Sequence, residues 1–234
     1  MKLMAFVQYM QHLHFSFDLL HLGYILLPLS IVAIILSSFT AIFQPGVKRL
    51  LAYSSLGQIG YMTMGIALET KAGLIASIIH LFNHAFIKGA LFMCLACLYS
   101  RFHSTLLVNL AGAGRVMPWT SAAFVIGGLA LIGVPLTSGF ISKWYLVLAI
   151  LEKDYWWLAV IVLFTSLLSV IYIWRVIEQI YFRQPSQSYA GIKEAPPLLL
   201  ACTWIMVLTS LYFGIDSSYP VDVATAAAEA LFKQ

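Results

Sequence analysis

Apolar residues run along this chain in stretches of about 20, the length a helix needs to cross a bilayer core of about 30 Å, with short polar punctuation between them. Six segments qualify, at about 23–43, 50–68, 72–98, 118–151, 156–180 and 197–215. The first stops at Gln44-Pro45-Gly46, a turn signal. The second is the most polar, with Tyr53, Ser54, Ser55, Gln58 and Tyr61, so it is expected to face other helices and not lipid. The third carries His80, Asn83, His84 and Lys88 in mid-span. The fourth has 34 residues and would make a helix of about 51 Å, too long for one regular span and too short for two with a loop. It contains Gly133-Val-Pro135-Leu-Thr-Ser-Gly139, where proline removes a backbone donor and glycine lowers helix propensity. Two half-helices around an unwound centre are therefore expected, with Pro135 and Gly139 marking the break. The fold class that follows is an all-α polytopic membrane bundle of six transmembrane segments, one discontinuous. Residues 1–22 read as a linker or a truncated helix end, and 216–234 as a C-terminal tail. A short amphipathic helix over about 221–233 has only a weak, alanine-rich apolar face.

Composition narrows the class. Of 234 residues 62% are hydrophobic and 9% charged, and the mean hydropathy is +0.92, which excludes a soluble globule. A β-barrel would show alternating strands of about ten residues, and no such alternation is present. Thirteen Lys and Arg against nine Asp and Glu leave +4, too small and scattered a surplus for nucleic-acid binding, so no nucleic-acid partner is expected. The basic residues orient the bundle instead. In the six-span arrangement one side receives Lys48, Arg49, Arg101, Arg115, Arg175, Arg183 and Lys193, and the other Lys2, Lys71, Lys153 and Lys233. The seven-residue side should be cytoplasmic, which places both termini outside. Cys94, Cys97 and Cys202 lie in apolar stretches without a second pair at metal-ligand spacing, and they read as small buried hydrophobes. Nothing in the sequence binds flavin, iron–sulfur or nucleotide, so no metal, cofactor or redox catalysis by this chain is expected.

Lys88 and Lys143 fall on neither side, because both lie within spans. A charge at mid-bilayer costs at least about 2.5–3.5 kcal/mol, so each needs a reason to be there. His80, His84 and Lys88 are spaced i, i+4, i+8, and at 100° per residue the set drifts only about 80° around a helix. Steps of about 6 Å along one face are short enough for a water to bridge, which is what a proton relay requires. The same residues also fit a structural reading, in which the histidines bond neighbouring helices and Lys88 snorkels. Haem or metal ligation would need further ligands that no other span offers. Lys143 stands four residues past Gly139, where the fourth span should resume, and a broken helix must line a hydrated cavity that can serve a proton-carrying lysine. No span has an acid in its middle third, so the counter-charge must come from water, backbone dipoles or another polypeptide. The chain is therefore not expected to be a complete transporter.

Three motifs, Val47-Lys-Arg-Leu-Leu-Ala-Tyr-Ser-Ser-Leu-Gly-Gln-Ile-Gly-Tyr61, His80-Leu-Phe-Asn-His-Ala-Phe-Ile-Lys88 and Gly139-Phe-Ile-Ser-Lys143, occur in an order and spacing that resemble the antiporter-like membrane subunits. That family is shared by Mrp-type sodium/proton antiporters, membrane-bound hydrogenases and respiratory complex I. The form of the third motif, and the lack of a long lateral helix after the last span, look most similar to the D-type member of the Mrp antiporters. The resemblance implies proton or monovalent cation/proton translocation, with H+ and Na+ or K+ as the ions. It places Lys88 at the lysine on a central hydrophilic axis, Lys143 at the lysine communicating with the outer side, and His80 and His84 at relay positions. Lys48, Ser55, Gln58 and Asn83 would be supporting polar residues. It further implies a prokaryotic inner-membrane location and membrane-subunit partners in a multisubunit complex, of NADH:quinone oxidoreductase or antiporter type, to which this chain adds no redox chemistry. Family members have two repeats of five helices, and this chain resembles only the second and the last helix. A first-repeat half supplied by another chain or lost, through a split gene, an interrupted reading frame or a C-terminal fragment, is what that implies. The alternative is a structural or assembly subunit without transport of its own.

Overall fold

The computed structural model describes residues 22–184 and 192–232, so the expected linker at 1–22 lies, Leu22 apart, outside the described residues. Eight α-helices follow in order among them: α1 Leu22–Ile42, α2 Val47–Ala67, α3 Lys71–Phe102, α4 Pro118–Ile132, α5 Ser138–Glu152, α6 Trp156–Tyr181, α7 Pro197–Ile215 and α8 Ser218–Phe232. Two 3-10 turns, Leu107–Leu110 and Ala113–Arg115, join α3 to α4. Among the described residues there is no strand beyond a single bridge between Gly46 and Leu106.

Local chemistry sets the ends. Thr70 caps α3 by accepting from the Gly73 amide at 3.0 Å, and α3 closes on His103 at φ 50°. Pro118 and Pro197 open α4 and α7, where a missing amide proton costs nothing. Glycine decides how closely α1, α2 and α3 approach. A Cβ on Gly60 would meet Ile34 Cγ1 at 2.5 Å, and one on Gly73 would meet the Gly65 carbonyl at 2.3 Å, so the backbones touch as small residues allow in membrane bundles.

Four helices are long and apolar enough to cross a membrane: Gly23–Ile42, Lys71–Phe102, Trp156–Tyr181 and Pro197–Ile215. The two half-helices α4 and α5 are each too short alone, at 15 residues. The polar α2 is long enough, with 21 residues, but not apolar enough, because it buries Ser54, Gln58 and Tyr61 against neighbours. The faces turned outward are apolar, as on α6 with Leu163, Phe164 and Leu167 at half exposure or more. The chain is an integral membrane helix bundle.

Helix α3, at 32 residues longer than the expected 72–98, is the post the others lean on. Helix α7 runs antiparallel beside its second half, from Thr203 against Cys97 (3.5 Å) to Phe213 against Phe86 and Phe82. Helix α8 continues along its first half, from Tyr219 near Phe82 to an ion pair between Glu229 and Lys71 at 2.9 Å. The expected tail is thus helical from Ser218. Its small-residue face, with Pro220, Ala224 and Ala228 buried, lies against α3, where small side chains permit contact. Two apolar clusters form the core, one around Leu91, Phe124 and Ile173, the other around Ile34, Met64 and Leu158. Between them lie the buried polar side chains of α2, α3 and α5.

Candidate functional site

The site begins where α4 stops. Gly133 takes φ 90° and Leu136 φ 71°, residues 133–137 are not helical, and the chain resumes as a helix at Ser138. Pro135 lies within this break. Gly139 does not: it is in the first turn of α5, and the reason for glycine there is space, since a Cβ would fall 1.9 Å from the Ala130 carbonyl oxygen. The expected unwound centre reaching to Gly139 is therefore corrected to one ending at Thr137.

Interrupting a helix strands the carbonyls of its last turn. Lys143, 7% exposed, reaches back along Gly133 and donates to Leu131 O at 3.2 Å and Ile132 O at 2.7 Å. Its ammonium thus sits at the negative end of the α4 dipole. The Tyr61 ring lies under it, 5.4 Å from nitrogen to centroid, while the Tyr61 hydroxyl pairs with Thr165 Oγ1 at 2.7 Å. The second lysine is treated alike. Lys88, 6% exposed, donates to Leu51 O at 2.8 Å and to Ser54 Oγ. Among the described residues neither lysine bonds a carboxylate, and backbone and hydroxyl dipoles surround both ammonium groups.

The histidines lie between. His80 is buried, with Nδ1 2.8 Å from Ser142 Oγ and Nε2 3.0 Å from Gln58 Oε1. Its ring stacks on His84 at 6.2 Å and meets the Tyr61 ring edge-on at 5.7 Å. Asn83 donates from Nδ2 to Ser138 O at 2.8 Å, pinning the start of α5 to α3, and its buried Oδ1 has no partner among the described residues. Ser138 Oγ in turn meets Ser210 Oγ at 2.9 Å, and a Cβ on Gly214 would strike Leu136 O and Thr137 at 2.5 Å, so α7 closes on the break.

The fold brings the buried Lys88, His80, Gln58, Asn83 and Lys143 together with a half-buried His84 into one strip. It leaves two supporting residues out. Lys48 is exposed at the start of α2, and Ser55 bonds its own Leu51 carbonyl at 3.0 Å, because one residue along a helix turns the side chain by about 100° away from Lys88. Ser54, Tyr61 and Ser142 take those places.

A membrane bundle whose broken helix hands its freed carbonyls to a buried lysine defines a class of polytopic protein that keeps ionisable groups in its interior. The chain belongs to the NADH:quinone oxidoreductase/Mrp antiporter transmembrane family, whose pattern matches residues 1–169. It is 37% identical over 164 residues to NADH-quinone oxidoreductase subunit N of Desulforudis audaxviator, covering 70% of this chain and 33% of that protein. Over 199 residues it is 32% identical to subunit N of Moorella thermoacetica, covering 85% and 41%. In three dimensions it resembles a chain of the Mrp complex from Dietzia sp. DQ12-45-1b, with a TM-score of 0.83 at 20% identity over 90% of this chain and 47% of that one. The chain thus spans about a third to two-fifths of the length of these curated relatives.

Proposed function

We propose that this chain moves protons, or exchanges protons for a monovalent cation, across a prokaryotic inner membrane as the second-repeat half of an antiporter-like subunit. It works within a multisubunit membrane complex, among whose members another chain or segment carries the first repeat. The polar α2 and the broken α4–α5 pair complete six spans, and the arginine-rich ends, where Arg101 holds Glu194 O at 2.8 Å, face the cytoplasm. Lys88, His84, His80 and Lys143 form the relay. Lys88 hands its proton along one face of α3, and Lys143 exchanges it with the outer side.

One observation carries this reading. Among the described residues two lysines are buried in a membrane bundle on carbonyl and hydroxyl oxygens, a setting from which an ammonium can give up a proton without leaving a carboxylate unpaired. The structural reading draws on the same bonds, because a lysine that caps a helix end also holds the break closed. Exchange in vesicles containing the assembled complex, measured for Lys88→Ala and Lys143→Ala with assembly followed on native gels, separates them. Loss of exchange in an intact complex supports the relay; wild-type exchange in both variants leaves only the structural role.

A further inference from the structure

The first turns of α4 and α7 lie side by side at the arginine-rich end, and between them runs an apolar groove of about 340 Å³ lined by Trp119, Pro197, Leu200, Ala201 and Trp204. Two tryptophans form its walls, their ring centroids 6.1 Å apart and their planes at 73°. The floor is alanine: Ala201 is exposed between larger neighbours, so the depression lies where α7 presents almost no side chain. Trp204 stands two turns past Pro197, about 10 Å along the helix, which keeps the groove within one leaflet of a bilayer core about 30 Å thick. The rim is basic. Arg101 donates from Nε and Nη2 to the Glu194 carbonyl oxygen at 3.1 and 2.8 Å, and Lys193 is exposed on the same segment. The Glu194 carboxylate is engaged elsewhere, accepting from the Trp119 amide at 3.0 Å, the Thr120 hydroxyl at 2.6 Å and the Ala195 amide at 3.1 Å. These bonds bring the Arg101 guanidinium to the mouth, because the residue it holds also caps the backbone of Trp119. Among the described residues neither Arg101 nor Lys193 pairs with a carboxylate.

Two cations above an apolar slot, walled by tryptophan at the level where a membrane meets water, are the complement of a phosphate carrying an acyl chain. We propose that this groove binds an anionic phospholipid, with its phosphate at Arg101 and Lys193 and one acyl chain along Ala201 between the tryptophans. A zwitterionic lipid brings its own ammonium to the same rim and gains less from it, so the charge selects the anionic headgroup while the groove holds the chain. The site involves none of Lys88, His80 and Lys143. From the proposed function it takes only the orientation of the bundle, and it stands whether or not the relay does.

The test uses the assembled complex in vesicles of phosphatidylcholine and phosphatidylglycerol. The probe is phosphatidylglycerol with a photoreactive diazirine in its acyl chain, and the labelled residues are read by peptide mass spectrometry. Labelling should concentrate at Trp119 and Trp204 over the outward Leu163, Phe164 and Leu167 of α6, which report bulk lipid. Added phosphatidylglycerol should compete for the groove, and added phosphatidylcholine should not. Arg101→Gln should lower groove labelling about fivefold, the weight of one basic side chain facing anionic lipid, and leave α6 unchanged. Should Arg101→Gln not assemble, Lys193→Gln carries the same expectation. Ala201→Phe, which fills the floor, should abolish groove labelling. Labelling no denser in the groove than on α6, equal competition by phosphatidylcholine, or full labelling in Ala201→Phe overturns the site, as does a groove that cross-links to another polypeptide in place of lipid. Lys143→Ala measured alongside keeps the cases apart: it should label like wild type even where exchange is lost, so the lipid site and the relay fail separately.

Discussion

The Lys143 ammonium occupies the place where α4 leaves two carbonyl oxygens without helical donors, at 3.2 and 2.7 Å, and the Tyr61 ring closes the third side at 5.4 Å. Hydrogen bonds to a charged group contribute about 1.5–3 kcal/mol each, so two of them offset an insertion cost of about 2.5–3.5 kcal/mol. The ring and the hydroxyl of Tyr61 have separable jobs. Tyr61→Phe removes only the bond to Thr165, and should lower stability by about 1 kcal/mol while keeping exchange. Tyr61→Leu removes the ring beneath the cation and should slow exchange severalfold; equal exchange in the two variants would show that the ring does not matter to Lys143. Gly139 offers a sterner case. With a Cβ 1.9 Å from the Ala130 oxygen, Gly139→Ala must push α5 off α4, and thermal unfolding in detergent should show a loss of several kcal/mol. At this scale the sequence displayed Lys88, Lys143, His80 and His84, because a charge or an imidazole in an apolar run stands out. Ser54 and Tyr61 showed only as polar residues of a helix-facing span and Ser142 only as part of a motif, since hydroxyl residues are common in membrane helices and their partners lie on other helices, far away in the chain.

The break between α4 and α5 was legible in its first half. Gly-Val-Pro at 133–135 announces an interruption, and Gly133 does take the left-handed conformation that ends α4. Its far limit was not, because a glycine that serves helix contact looks in sequence like one that stops a helix. Leu136 is the element's strained residue, at φ 71° and 72% exposed. A left-handed conformation costs an ordinary residue about 1–2 kcal/mol, so Leu136→Gly should raise the unfolding temperature and leave exchange unchanged. Gly214 is its counterpart on α7. Gly214→Val, with no room beside Leu136 O and Thr137, should detach α7 from the break and destabilise the bundle; a variant as stable as wild type would contradict the packing described. The last helix shows the same ambiguity from the other side. An alanine face that is a weak anchor for a bilayer surface is well suited to a neighbouring helix, and here it packs against α3.

At the scale of the whole molecule, four of the six segments read as spans are helices long and apolar enough to cross a membrane, while α2 is too polar and the half-helices α4 and α5 are too short to qualify alone. Contacts between the connecting segments sort into two ends. Gly46 against Leu106, Gly112 against Gln179 and Arg101 against Glu194 gather at one, and Lys71 with Glu229 at the other. Single cysteines replacing Arg101 and Lys71 should therefore react with an impermeant thiol reagent from opposite faces of oriented vesicles. Between the two ends lies the strip of Lys88, half-buried His84, His80 and Lys143, and the claim that it carries protons turns on whether Lys143 must release one. Arginine keeps the charge and can reach the same carbonyls, but its guanidinium does not deprotonate at accessible pH. The direct measurement is cation/proton exchange by the assembled complex carrying Lys143→Arg, with assembly verified on native gels: a fully assembled complex that has lost exchange is the predicted result, and wild-type exchange would contradict the proton-carrying role.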